Sequence, residues 1–142
     1  IIHLVGKGLL NKDINVEGYN QYEFLSAELF DIFKIVDFTI SRAGANALYE
    51  FLALNIPAIL VPLGTNQSRG DQIENAKFFE KNGFALVIQE DDFKDLELTK
   101  VDDFYNSLND YKNAMIKYKD EKKVINNVED FYNKILKEVG GK

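Results

Sequence analysis

Four consecutive apolar residues with a proline at either end, Pro57-Ala58-Ile59-Leu60-Val61-Pro62, constrain the fold of this chain more than any other stretch. An apolar run without polar alternation fits a strand covered on both faces, as the central strand of a parallel sheet is. The two prolines stand at the strand's ends, where a missing N–H is tolerated. Parallel neighbours need long crossovers, usually helices, and the flanking sequence supplies them. Asp37-Phe38-Thr39-Ile40 reads as a buried strand, and Ala45 to Leu54 as an Ala- and Leu-rich helix that Asn55-Ile56-Pro57 ends. A helix from about Asp71 to Asn82 follows, with Asp71 as N-cap, Glu74 at the capping-box position and Gly83 as the stop. Phe84-Ala85-Leu86-Val87-Ile88 reads as the next buried strand.

The beginning of the chain fits the same scheme. Ile1-Ile2-His3-Leu4-Val5 reads as a buried strand leading into Gly6-Lys7-Gly8, and it starts without a Met, as a chain cut from something longer would. Asn15 to Tyr22 is a polar connection with a short strand near Val16. A helix from about Ala27 to Val36 shows Leu29, Ile32, Phe33 and Val36 on one face. Phe24 and Leu25, just before it, form either a hydrophobic staple onto the helix or a lid over a flat ligand. Beyond the acidic connection Gln89 to Leu96 the pattern is helical: about Leu98 to Leu108, Tyr111 to Lys119 and Lys122 to Val139. The stripe of the last helix is Ile125, Val128, Tyr132, Ile135, Leu136 and Val139. The whole implies an α/β fold, a parallel sheet flanked by helices with a C-terminal helical segment.

The junction Ser41-Arg42-Ala43-Gly44-Ala45 carries the functional signal. A strand that stops at a glycine turn and opens a helix leaves backbone N–H groups unpaired, with the positive end of the helix dipole behind them. Such a place suits an anion or a polyhydroxyl ligand. Glu50 lies about a turn and a half into the helix, and helical side chains lean back toward the N-terminus, so its carboxylate can face the same space. Ala43, Ala47 and Ala53 near its face leave room there. In a parallel sheet the strand-to-helix loops share the C-terminal edge, so Gly6–Gly8, Ser41–Asn46 and Pro62–Gln72 are expected to converge. Gln72 and Asn75, three residues apart, face the last of these. Glycine amides, short polar side chains and one carboxylate, with almost no hydrophobic wall, suit a sugar or a nucleoside diphosphate.

Several classes of function fall away. With 17 basic against 23 acidic residues, a net charge of −6 and no basic stripe, the chain has no nucleic-acid footprint. It has no Cys, hence no disulfide framework or thiolate chemistry, which suits a cytoplasmic protein. No apolar run approaches the about 20 residues of a membrane span, and no stretch of these residues reads as a signal peptide. Gly6-Lys7-Gly8 lacks the third glycine of a dinucleotide fingerprint, and no Walker motif occurs. The single His, His3, stands in an apolar strand and reads as a packed, hydrogen-bonded residue, with no carboxylate cluster beside it for a metal. No nucleophile–base pair is visible: the residues describe a binding half without a reaction centre, and they call for no metal or cofactor.

Ser41-Arg42-Ala43-Gly44-Ala45 with Glu50, the run Ile56 to Pro62, and Asp71-Gln72-x-x-Asn75-Ala76 resemble the donor site of the MurG family; His3-x-x-Gly6-Lys7-Gly8 and Glu23-Phe24 fit it too. These are the GlcNAc transferases that make lipid II from lipid I in peptidoglycan synthesis. The resemblance covers nearly the whole chain, though the C-terminal helices match only in pattern. It implies one half of a GT-B fold, the C-terminal, Rossmann-like domain that binds UDP-GlcNAc, in a cytoplasmic enzyme held peripherally on the inner face of the membrane. By this analogy Glu50 holds the ribose hydroxyls, Phe24 and Leu25 cap and read the uracil, and Leu29 packs beside the base. Gly44, Ala45, Gln72 and Asn75 hold the sugar and phosphate side, and Arg42 fits the motif without a defined role. Position 71 departs from the pattern, being Asp where the family often has His or Gln. The family's glycine-rich phosphate loop is missing. So is the N-terminal domain through which the lipid I acceptor would bind. The same resemblance leaves room for a non-catalytic donor-binding subunit of a split transferase, or for another UDP-sugar enzyme of this fold.

Overall fold

The computed structural model describes residues 1–64 and 70–122. The chain divides into two compact units, Ile1–Val36 and the segment from Asp37 onward. The larger unit is a parallel three-stranded sheet in the order β3 (Thr39–Ser41), β4 (Ala58–Leu60), β5 (Ala85–Val87). Helices α2 (Ala45–Leu54) and α3 (Asp71–Lys81) make the two crossovers, and α4 (Glu90–Phe93), α5 (Leu98–Asn106) and α6 (Leu108–Lys122) follow. The parallel α/β sheet flanked by helices is therefore present as expected.

β4 is central, and every one of its residues is fully buried. Side chains alternate along a strand, so Ile59 faces one side while Ala58 and Leu60 face the other. On Ile59's side, Phe104 of α5, Leu108 of α6 and Ile88 close a core cluster with Phe38 and Tyr111 at its margin. The Phe38 and Phe104 rings meet edge to face at 5.4 Å. A second aromatic group joins α3, the start of β5 and α6: Phe84 stands edge-on to Phe79 at 5.4 Å and to Tyr118 at 5.1 Å.

Both crossover helices end by the same device. Asn55 adopts the left-handed conformation (φ 55°), and the Ile56 N–H reaches back to the Phe51 carbonyl at 2.9 Å. At the end of α3, Gly83 (φ 71°) does the same, with the Phe84 N–H on the Phe79 carbonyl at 2.9 Å. Each is a Schellman-type reversal, which satisfies terminal carbonyls and turns the chain into the next buried strand. Thus Asn55, two residues before Pro57, stops α2, whereas Gly83 stops α3 as its sequence position predicts. The last turn of α2 contains no basic residue, and Lys119 of α6 supplies the missing charge by donating to the Ala53 carbonyl at 3.0 Å. Partial burial holds the Lys119 ammonium below the ordinary lysine pKa.

The structure corrects several expectations. β3 begins at Thr39 and runs to Ser41, and Ile40 is half exposed, because among the described residues this strand pairs only with β4. Gly70 (φ 87°), and not Asp71, caps α3, with its carbonyl accepting from the N–H groups of Ile73 and Glu74 and without a side-chain cap. Asp71 is the first helical residue, where a carboxylate still complements the dipole. The acidic connection after β5 contains the short helix α4.

In the smaller unit, β1 (Ile2–Leu4) pairs in parallel with β2 (Asn20–Tyr22), and α1 spans Ala27–Phe33. The expected buried strand at the start is exposed along its length, since within this unit a two-stranded sheet has no layer to cover it. Its strands form a sheet separate from β3–β5. Leu29, Ile32, Phe33 and Val36 are partly buried, as their spacing predicts, but none is fully so. The short strand expected near Val16 lies instead at Asn20–Tyr22. Among the described residues no helix is long and apolar enough to cross a membrane. The helix expected over Lys122 to Val139, with its apolar stripe, lies outside the described residues apart from Lys122.

Phe84 meets three aromatic rings in a fully buried place, whereas Ile40 faces outward on an edge. Phe84→Ala is therefore expected to cost about 3–5 kcal/mol, and Ile40→Ala less than about 1 kcal/mol. Urea unfolding of the two variants checks the difference, and equal losses would contradict the arrangement of the core.

Candidate donor-binding edge

The register of the sheet sets the geometry of the site. Ser41, Leu60 and Val87 stand level on the three strands, so the chain leaves β3, β4 and β5 at one height. The ladder continues one step further, with the Val61 N–H on the Ser41 carbonyl and the Ile88 N–H on the Leu60 carbonyl, both at 2.9 Å. The loops expected to meet at the C-terminal edge after β3 and β4 do meet there. The third, Gly6–Gly8, belongs to the other unit.

Two side chains, Arg42 and Asn75, tie the β3–α2 loop to its neighbours, and Gln72 holds the start of the β4–α3 loop to α3. The Arg42 guanidinium donates through Nη1 to the Val61 carbonyl at 3.1 Å and through Nη2 to Glu90 Oε1 at 2.5 Å, so it bridges the ends of β3, β4 and β5. Asn75 Nδ2, from the second turn of α3, donates to the Ala43 carbonyl at 3.1 Å. Gln72 Oε1 accepts from the Leu63 N–H at 3.0 Å. Gln72 and Asn75 thus come to the edge on one face of α3, as their spacing predicts, and each holds a loop. Arg42, whose role the sequence leaves undefined, has a structural one.

Gly44 is the N-cap of α2, in extended conformation and without any side-chain cap. The first intrahelical bond runs from the Leu48 N–H to the Gly44 carbonyl at 3.1 Å. The amides of Ala45, Asn46 and Ala47 consequently have no partner within the helix. Ala45 is exposed beside them. Glu50 is partly exposed and lies on the helix face of Asn46 and Ala47, four and three residues before it. Among the described residues no ion pair engages its carboxylate. Ala43 is fully buried, so its small side chain serves packing and makes no room for a ligand.

The expectation of almost no hydrophobic wall needs correction. A groove of about 240 Å³ runs along α2 and α3, lined by Ala45 and Asn75 but also by Tyr49, Phe78, Phe79 and Tyr118. Glu50 is not among its lining residues.

The remaining candidates belong to the Ile1–Val36 unit. Phe24 is 77% exposed, so it does not staple onto α1, while Leu25 and Leu29 are half-buried. His3 is hydrogen-bonded as expected, through Nδ1 to the Tyr19 hydroxyl at 2.6 Å, but in an exposed position. The Gly8 amide is held by Glu23 Oε1 at 2.7 Å, which closes the Gly6–Gly8 loop from within. The contacts of Glu23 and Glu90 are among those that the sequence does not announce. Among the described residues no group of His, Asp or Glu could hold a metal ion.

The model of the glycosyltransferase family 28 C-terminal domain matches residues 1–135. A UDP-N-acetylglucosamine--N-acetylmuramyl-(pentapeptide) pyrophosphoryl-undecaprenol N-acetylglucosamine transferase of Staphylococcus haemolyticus is 46% identical over 138 residues, which is 97% of this chain and 38% of that protein. The Staphylococcus carnosus protein of the same name is 59% identical over 91 residues, 64% of this chain and 25% of that protein. One of Bacillus cereus, named as transferase 2, is 44% identical over 135 residues, 92% of this chain and 38% of that protein. The chain spans less than two fifths of the length of these relatives. With the strand order, the glycine-opened α2 and the family match in agreement, the chain belongs to the glycosyltransferase family 28 C-terminal domain family.

Proposed function

We propose that this chain is the UDP-GlcNAc-binding half of an inverting GlcNAc transferase that converts lipid I to lipid II. The observation that carries the reading is the level C-terminal edge, where the amides at the start of α2, without partners inside the helix, stand beside loops fixed by Gln72 and Asn75. The names of the relatives, which specify a transferase of N-acetylglucosamine, support the same donor. In this reading the amides opening α2 face the anionic or hydroxyl-rich part of the donor, and Glu50 accepts hydrogen bonds from the ribose hydroxyls. Gln72 and Asn75 shape the sugar side.

The reaction would be a direct displacement. An acceptor hydroxyl oxygen bonds to the anomeric carbon, the bond from that carbon to the diphosphate breaks, UDP leaves with the electron pair, and a base takes the hydroxyl proton. This chain supplies donor binding. The base, the acceptor site and peripheral attachment to the cytoplasmic face of the membrane belong to the rest of the longer protein. The isolated 142-residue chain is therefore expected not to transfer GlcNAc from UDP-GlcNAc to a lipid I analogue. Measurable turnover by it would contradict this division of labour.

Glu50 provides the direct test. A hydrogen bond to an ionised group contributes roughly 1.5–3 kcal/mol, and two on one well-hydrated carboxylate do not simply add. Glu50→Ala is expected to lose about 2–3 kcal/mol of UDP affinity, near a hundredfold. Glu50→Gln should lose less, since an amide oxygen still accepts. Calorimetric titration of the longer protein and its variants measures this, with thermal unfolding as control. UDP binding by Glu50→Ala as tight as that of the unmodified protein would remove Glu50 from the site.

A further inference from the structure

Glu90 stands outside every motif of the sequence, yet its carboxylate takes one arm of the guanidinium that spans the edge. Arg42 Nη2 lies 2.5 Å from Glu90 Oε1, and Nη1 donates to the Val61 carbonyl at 3.1 Å. Both identified contacts of the guanidinium point into the protein. Two residues further along the β3–α2 loop lies Gly44, the N-cap of α2, and between them the Ala43 carbonyl is held by Asn75. The loop is thereby gripped from both sides, by α3 through Asn75 and by α4 through Glu90.

The grip from α4 has a definite origin. Glu90 is the first residue of α4, directly after Gln89, and the ladder bond from Ile88 to Leu60 fixes the chain two residues before it. Its position is thus set by the sheet. Arg42 alone could swing out into solvent, its side chain being 46% exposed. An exposed arginine gains a fixed position by bidentate or paired contacts, which the carboxylate and the carbonyl together provide.

We propose that Glu90 is a positioning residue of the donor edge, which acts through Arg42 to fix the β3–α2 loop against the end of β4 at Val61. Arg42 then serves the site through the protein and not by touching the ligand. The inference rests on the proposed donor binding. Side chains this exposed contribute little to global stability, so removing the pair is expected to change the loops far more than the melting temperature.

The test uses the longer protein and the isotope-labelled 142-residue chain, each unmodified and as Glu90→Ala, Glu90→Asp and Arg42→Gln. UDP affinity by calorimetry is expected to fall about tenfold in Glu90→Ala and Arg42→Gln, with partial recovery in Glu90→Asp and nearly unchanged thermal unfolding in all three. In spectra without ligand, Glu90→Ala should move the amide signals of Ala43, Gly44 and Ala45, which are remote in sequence from the substitution. Unshifted signals there, or UDP affinity within twofold of the unmodified protein, would overturn the proposal. If the unmodified protein fails to bind UDP, the proposed function fails instead, and the ligand-free spectra still decide whether Glu90 positions the loop. Should Glu90→Ala unfold, the role is global stability and the proposal falls, unless Arg42→Gln remains folded and shows the same amide shifts.

Discussion

The two-sided burial of β4 is the constraint on which the edge depends. A strand of Ala58, Ile59 and Leu60 with no exposed surface cannot slip its register without moving every side chain to the opposite face. Its ladders to β3 and β5 therefore hold Ser41 and Val87 level with Leu60. The loops inherit that alignment. Arg42 can reach both the Val61 carbonyl and Glu90 only because the three strands end together. The same alignment brings the start of α2 close enough to α3 for Asn75 to hold the Ala43 carbonyl. Packing in the core thus becomes position at the site, although no residue of β4 belongs to the site.

Much of this was legible in the sequence because local and global preferences agree there. The bounds of α2, Ala45–Leu54, follow from a run of good helix formers behind a glycine, and β4 from its unbroken apolar run. Gly83 is readable as a stop because the left-handed conformation it adopts suits glycine. The cap of α3 lies one residue before the expected Asp71 for a related reason. Asp71 satisfies the usual side-chain rule, but Gly70 before it takes a left-handed conformation and supplies the cap carbonyl from its backbone. The pattern of polar residues does not distinguish these two solutions.

What the sequence conceals is which contacts are made across distance. β1 and β3 are less buried than their apolar composition suggests, because composition says nothing of whether a layer covers the strand, and β3 is an edge strand among the described residues. Glu90 is one of several acids in Gln89 to Leu96. Only its place at the start of α4, within reach of the Arg42 guanidinium, singles it out. Phe78 and Tyr118 pack on Phe84, and both also line the groove along α2 and α3. A periodic apolar position reports that a side chain leaves water. It does not report whether a ligand-sized space remains beside it.

The central claim is that the edge formed after β3 and β4 receives a uridine diphosphate sugar. It is tested most directly by titrating the isotope-labelled chain with UDP-GlcNAc, UDP-glucose, a TDP sugar and ADP while amide signals are followed. The account predicts that UDP-GlcNAc gives the largest shifts, concentrated at Gly44 to Ala47 and at Gln72 to Asn75. Shifts absent from both segments, or equal responses to ADP and UDP-GlcNAc, would contradict it.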